Sequence, residues 1–218
     1  MMINEDLYYV KGKGIDSNSY LLEAKDHFIL IDTGTGINSA AFLKTLAGIC
    51  AKKPVKLVIN THCHFDHIGG NKDFVGTAKF AAHALDAKYI QTPDADYTVA
   101  SMFSQKLAPI QVSQMLKEGD KIEDTGYVVL HTPGHTEGSI CLYNEDLKIL
   151  IAGDTAFANG GTGRVDLPGG DLAKMQASLE KLAGINVRTL LSGHGEPVLE
   201  KGYESIRQGL GFVKGENI

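Results

Sequence analysis

Thr61-His62-Cys63-His64-Phe65-Asp66-His67 gathers three imidazoles and a carboxylate within a few residues. Imidazole nitrogen and carboxylate oxygen together are the donors of a transition-metal site; they suit zinc, and iron and manganese accept similar ligands. In an extended segment residues two apart face the same side. His62 and His64 can therefore converge on one ion, while a turn at Phe65 would swing Asp66 and His67 toward a second. By the same alternation Cys63 points away from its neighbours and is expected as a buried spacer. Two further histidines stand in sharply marked segments, Thr132-Pro133-Gly134-His135-Thr136 and Ser192-Gly193-His194-Gly195, so five of the eight histidines fall in three such places. His27, His83 and His131 lie outside this pattern and read as packed or surface residues.

The elements that must carry these donors follow from periodicity. Residues 8–10, 19–23 and 27–31 are rich in aromatic and β-branched residues separated by turn formers, and predict a β-meander. Residues 37–51 carry apolar residues at a 3.6-residue period behind Asn38 or Ser39, predicting a helix that Pro54 ends. Residues 55–60 form the β-branched run of a buried strand, which places the histidine cluster in the loop at that strand's end. Residues 82–117 read as a helical excursion broken by Pro93 and Pro109; pocket wall, core and dimer contact are all open roles for it. Strands are predicted at 127–131, 139–143, 148–152 and 188–191, and helices at 171–182 and 201–213. Ile29-Leu30-Ile31-Asp32-Thr33 and Leu150-Ile151-Ala152-Gly153-Asp154-Thr155 end alike, which hints at two related halves. Asp32 is placed either to orient a ligand histidine through its second N–H or to serve as a plain turn residue.

Strand runs alternating with helices put the chain in the α/β or α+β class. Residues 1–218 read as a single domain. Hydrophobic residues make up 43% and charged residues 22%, the balance of a globular protein with a packed core. A net charge of -5 gives little electrostatic support to nucleic-acid binding. No apolar stretch approaches the ~18 residues that would span a bilayer. The acidic start and the three scattered cysteines, Cys50, Cys63 and Cys141, predict a cytoplasmic protein with reduced thiols. The expected partner is a small-molecule substrate, with a homodimer left open.

The cluster His-x-His-x-Asp-His, followed by single His135, Asp154 and His194 at strand ends, resembles the metallo-β-lactamase superfamily over about residues 18–196. The resemblance implies a four-layer αββα sandwich of two mixed β-sheets flanked by helices. It implies two divalent metal ions, zinc foremost, with His62, His64 and His135 binding the first, Asp66, His67 and His194 the second, and Asp154 bridging them. The glycine-rich run at 160–170 lacks the lysine and the strand-to-helix placement of a phosphate cradle. Its Gly-Arg-x-Asp portion resembles the glyoxalase II and persulfide dioxygenase group, which implies that Arg164 and Asp166 brace the loop.

Two such ions would lower the pKa of a water toward roughly 7, making hydroxide available for attack on a carbonyl carbon. Asp66 is the candidate to pass a proton to the leaving group. The chain looks most like short glyoxalase II proteins, which implies a metal-dependent hydrolase of thioesters such as hydroxyacylglutathione. Full-length glyoxalase II has a further helical region with basic residues that grip glutathione, whereas this chain ends about 24 residues after His194. A mononuclear iron persulfide dioxygenase and a lactone or β-lactam hydrolase are the alternatives.

Overall fold

The computed structural model describes residues 1–51 and 53–216. They form two mixed β-sheets with helices, in two compact units. Unit 1 comprises Met1–Ala82, Ala87–Met115 and Glu123–Thr125; unit 2 comprises His83–Asp86, Leu116–Ile122 and Gly126–Ile218.

The first sheet has seven strands in sequence order: β1 (Met2–Asn4), β2 (Leu7–Val10), β3 (Ser19–Glu23), β4 (Phe28–Ile31), β5 (Val55–Ile59), β6 (Lys79–His83) and β7 (Gln114–Leu116). The chain meanders antiparallel through β4, then β4, β5 and β6 pair in parallel. Parallel neighbours require a crossover. Helix α1 (Ser39–Ile49) supplies the one from β4 to β5; the short helix α2 (Phe65–Ile68) and a 3-10 turn at Gly69–Phe74 belong to the one from β5 to β6. Every side chain of β4 is buried, as a strand covered on both faces requires. Leu30, Leu46, Val58, Cys63, Ile68 and Phe80 belong to one core cluster of this unit.

The second sheet runs β12-β11-β10-β9-β8, where β8 is Lys121–Ile122, β9 Tyr127–His131, β10 Ile140–Asn144, β11 Ile149–Gly153 and β12 Thr189–Ser192. It repeats the plan of the first: antiparallel through β11, then parallel from β11 to β12. Between β11 and β12 runs helix α4 (Leu172–Ala183), whose N-cap Asp171 accepts the Lys174 N–H. Met175, Leu179 and Leu182 of α4 pack in a core with Leu150, Leu190 and Ile206, the last from helix α5 (Gly202–Lys214).

The predicted helical excursion at 82–117 needs correction. Among the described residues only helix α3 (Ala84–Gln91) and one 3-10 turn (Ala100–Phe103) form there, and the segment's ends belong to β6 and β7. Pro93 stops α3. Asp94 then accepts the N–H groups of Asp96 and Tyr97, and Val99 takes a left-handed φ of 52°. Beyond Pro109 the chain bonds back in extended form, Ile110 N–H to the Ile90 carbonyl and Ser113 N–H to the Phe80 carbonyl. β1, β6, β7 and β8 were not anticipated from periodicity; β1, β7 and β8 have only three, three and two residues, and β6 carries no β-branched residue. Among the described residues no helix is long and apolar enough to cross a membrane.

Candidate metal centre

In unit 1 the donors follow β5. Asp32, just past the end of β4, sits at φ 56°, a conformation that carboxamide and carboxylate residues tolerate better than most. Its N–H reaches back to the Ile59 carbonyl, pinning the ends of the two parallel strands together. The buried Asp32 carboxylate accepts the Thr61 N–H at 2.8 Å and the Thr61 hydroxyl at 2.7 Å. It also lies 2.7 Å from His67 Nδ1. A carboxylate only accepts, so His67 carries its proton on Nδ1 and turns an Nε2 lone pair outward. Asp32 is thus the orienting carboxylate rather than a plain turn residue.

The chain at His64 is extended (φ -70°, ψ 147°) and α2 begins at the next residue, so the turn expected at Phe65 is one helical turn. It is fixed by Phe65 N–H to the Thr98 carbonyl and by Thr33 N–H to the His67 carbonyl. His62, His64 and His67 are all buried. The His62 ring centroid is 4.8 Å from that of His64 and 4.0 Å from that of His67. Asp66 Oδ2 stands 3.8 Å from His67 Nε2, with 18% of the Asp66 side chain exposed. Cys63 is fully buried in the core cluster, as a spacer should be.

In unit 2 the donors come from three loops. His135 lies in the β9–β10 loop and is 2.7 Å from the Arg164 carbonyl through Nδ1, which fixes the proton there and leaves the Nε2 lone pair as the donor an ion would use. That loop is held by Asp86, fully buried, which accepts the Thr136 hydroxyl and the Gly138 N–H, both at 2.7 Å. Nothing in the sequence singled out Asp86; a carboxylate in the first turn of a helix ordinarily faces water. Asp154 follows β11, and its Oδ2 lies 3.6 Å from His135 Nε2 and 3.7 Å from His194 Nε2. His194 follows β12, where Gly193 N–H bonds to the Gly153 carbonyl, and its half-buried ring meets Phe157 edge to face.

These separations are too long for hydrogen bonds. Two donors about 2.1 Å from a common tetrahedral ion stand roughly 3.4 Å apart, so 3.6 to 3.8 Å is the spacing of ligands that share one. The chemistry agrees: buried imidazoles this close would repel if protonated, and as neutral donors beside carboxylates they suit divalent cations. His and Asp donors of both units belong to groups able to hold a metal ion.

The glycine-rich loop supports the centre through its backbone. A Cβ on Gly163 would stand 2.6 Å from the His135 ring, so only glycine fits, and its N–H bonds to the Asp154 carbonyl. The Arg164 and Asp166 side chains form a two-pronged pair at 2.9 and 2.6 Å, and Arg164 holds the Asp166 carboxyl below its usual range. The pair forms as expected on the exposed side of the loop, and the Arg164 carbonyl adds the bond to His135. Of the histidines outside the pattern, His27 pairs with Asp26, and His83 stacks on His131 at 4.0 Å.

Residues 12–194 match the metallo-β-lactamase superfamily model. A probable metallo-hydrolase of Methanocaldococcus jannaschii is 38% identical over 86% of this chain and 91% of its own length. The acyl-coenzyme A thioesterase MBLAC2 of Gallus gallus is 29% identical over 70% of this chain, which spans only 61% of that enzyme. Among solved structures, a B3 metallo-β-lactamase superposes with a TM-score of 0.80 at 25% identity, covering 96% of this chain and all of the other. A protein solved in a di-iron-bound form gives 0.74 at 28%, covering 94% and 96%. With its two mixed sheets and its His and Asp donors at strand ends, the chain belongs to the metallo-β-lactamase superfamily and is a metallo-hydrolase of that family.

Proposed function

We propose that the chain is a dinuclear thioesterase. In this reading His62, His64 and His135 hold one divalent ion, Asp66, His67 and His194 hold the other, and Asp154 bridges them. The observation that carries it is Asp154 Oδ2, flanked by two imidazole nitrogens at nearly equal distance, where a bridging carboxylate belongs. When bound, two such cations supply Lewis acidity toward a carbonyl and bring water within reach of ionisation at neutral pH.

The chain's own groups do the rest. Asp32 and the Arg164 carbonyl keep His67 and His135 in the Nδ1–H tautomer, so that their Nε2 atoms are basic. Asp66, with twice the exposure of Asp154, is the carboxylate able to take a proton and hand it to the leaving thiolate. The thioester reading draws on the MBLAC2 relatives, which are acyl-coenzyme A thioesterases. Zinc is the proposed metal, and the di-iron-bound neighbour makes iron the occupancy to test against it.

The test is metal quantification on the purified protein, followed by a panel of acyl-coenzyme A and glutathione thioesters, lactones, β-lactams and glutathione persulfide. Two zincs per chain with thioester turnover are expected. One iron with oxygen uptake on the persulfide would overturn the hydrolytic reading, and lactone turnover without thioester turnover would overturn the substrate class. Asp66→Asn with both metals and full turnover would remove Asp66 from the proton path.

A further inference from the structure

Of the histidines proposed to hold metal, His62, His64, His67 and His135 are buried, whereas 34% of the His194 side chain is exposed. An imidazole turns about its second side-chain bond unless something restrains it, and freedom that must be given up on binding an ion weakens the binding. His67 and His135 are restrained through Nδ1, by Asp32 and by the Arg164 carbonyl. Against the His194 ring stands Phe157, with the ring centroids 6.1 Å apart and the planes at 82°. That is edge-to-face packing within the range where two π-systems attract.

Phe157 is itself held in place. Its N–H donates to the Gly161 carbonyl at 2.7 Å, closing a turn in which Asn159 and Gly160 take left-handed φ values of 58° and 78°. A Cβ on Gly161 would stand 3.2 Å from the Phe157 Cβ and 3.3 Å from its ring, so the turn packs closely on the aromatic side chain. A Cβ on Gly160 would meet Gln208 Cγ at 2.8 Å and Phe212 Cε2 at 2.9 Å, both on α5, so the same turn is seated on that helix. The chain before Phe157 is also tied to the chain before His194. The Ser192 hydroxyl donates to the Ala156 carbonyl, and Gly193 N–H to the Gly153 carbonyl, both at 2.7 Å.

We propose that Phe157 is the positioning residue of His194. Its ring keeps the imidazole in the orientation that turns Nε2 toward Asp154 Oδ2, 3.7 Å away, and so sets the affinity of the second metal site. Helix α5 takes part by seating the turn that carries Phe157. A helix that supplies no ligand thus helps decide whether the chain holds one ion or two. The inference rests on His194 as a ligand of the second ion and is independent of the substrate.

The test is a two-step zinc titration of the metal-free full chain against a chromophoric chelator, beside NMR of the His194 ring protons without metal. Phe157→Leu keeps apolar bulk and removes the aromatic ring. It is expected to weaken one zinc about 10-fold and leave the other unchanged, with the His194 ring signals moving toward those of an unrestrained imidazole. Phe157→Tyr keeps the ring and should keep both properties. Gly160→Ala, which crowds α5 at a left-handed φ, should reproduce the loss seen with Phe157→Leu in weaker form. His194→Ala is the reference and should lose that same zinc outright. Phe157→Leu with both affinities within about twofold of wild type, or with both lowered alike, would overturn the proposal even where His194→Ala loses its zinc. Two zincs bound as in wild type by His194→Ala would overturn the ligand assignment beneath it, and the proposal with it.

Discussion

Asp32→Asn separates geometry from protonation. Asparagine keeps the volume and tolerates the left-handed φ of 56°, so the backbone should hold. One carboxylate oxygen becomes an amide donor. With a single oxygen left, the new side chain can still accept the Thr61 N–H, but its NH₂ then faces His67 Nδ1 at the 2.7 Å position. His67 answers by moving its proton to Nε2, the atom proposed to bind metal. Loss of an orienting partner of this kind typically lowers metal affinity about 10- to 100-fold. The hydrogen bonds lost to a buried carboxylate are worth about 1.5–3 kcal/mol, and for a chain of this size that lowers Tm by roughly 3–12 °C. The assay pairs zinc titration against a chromophoric chelator with thermal unfolding of the metal-free protein. A variant that melts lower yet binds both zincs with wild-type affinity would refute the tautomer argument, while leaving Asp32 its structural role.

Asp86→Ala should cost more than its distance from the chemistry suggests. It strands the Gly138 N–H, at about 1–3 kcal/mol, leaves the Thr136 hydroxyl with Ser139 alone, and should lower both Tm and turnover by loosening the loop of His135. Gly163→Ala places a methyl 2.6 Å from the His135 ring and should cost about 1–3 kcal/mol and most of the activity, readable by thermal unfolding and metal content. Chelation of the holoenzyme should abolish hydrolysis and lower Tm together, with zinc restoring both, since ligand binding to the folded state alone stabilises it. His83 is pushed down to about 4 by burial and by His131, against an ordinary 6.5. A base depressed in the folded state contributes stability that is complete above pH 6.5 and lost as pH falls toward 4, because the unfolded chain takes up the proton first. His83→Gln should flatten the acid limb of a Tm-versus-pH curve over that range.

The candidate donors of the cluster were legible because their chemistry is local: three imidazoles and a carboxylate in so short a run have few other uses. The strands carrying them were legible because β4 and β11 are continuous apolar runs, and β5 is β-branched at Val55, Val58 and Ile59 despite Lys56. What escaped is what depends on distant partners. Asp86 is an ordinary acidic residue until Thr136 and Gly138, 50 and 52 residues on, come to it. The Arg164–Asp166 pair was legible, but the bond between His135 Nδ1 and the Arg164 carbonyl was not, because a carbonyl carries no residue identity for a sequence to display. The stretch from Pro93 to Pro109 read as helical because its apolar residues fall at helical spacing, but Asp94 turns the chain and Val99 leaves the helical region altogether.

Both sheets change from antiparallel to parallel pairing at the strand that ends in an aspartate, β4 before Asp32 and β11 before Asp154. A parallel partner ends at the same edge, so each change sets two carboxyl-terminal strand ends side by side, and those ends carry the donors. The opposite edge of the second sheet has no such duty. The exposed turn at residues 145–148 joins β10 to β11 at the end of β11 away from Asp154. It is therefore the place to splice in a tag or a fluorophore, or to tether the enzyme to a surface, with the donor-bearing edge left facing solution.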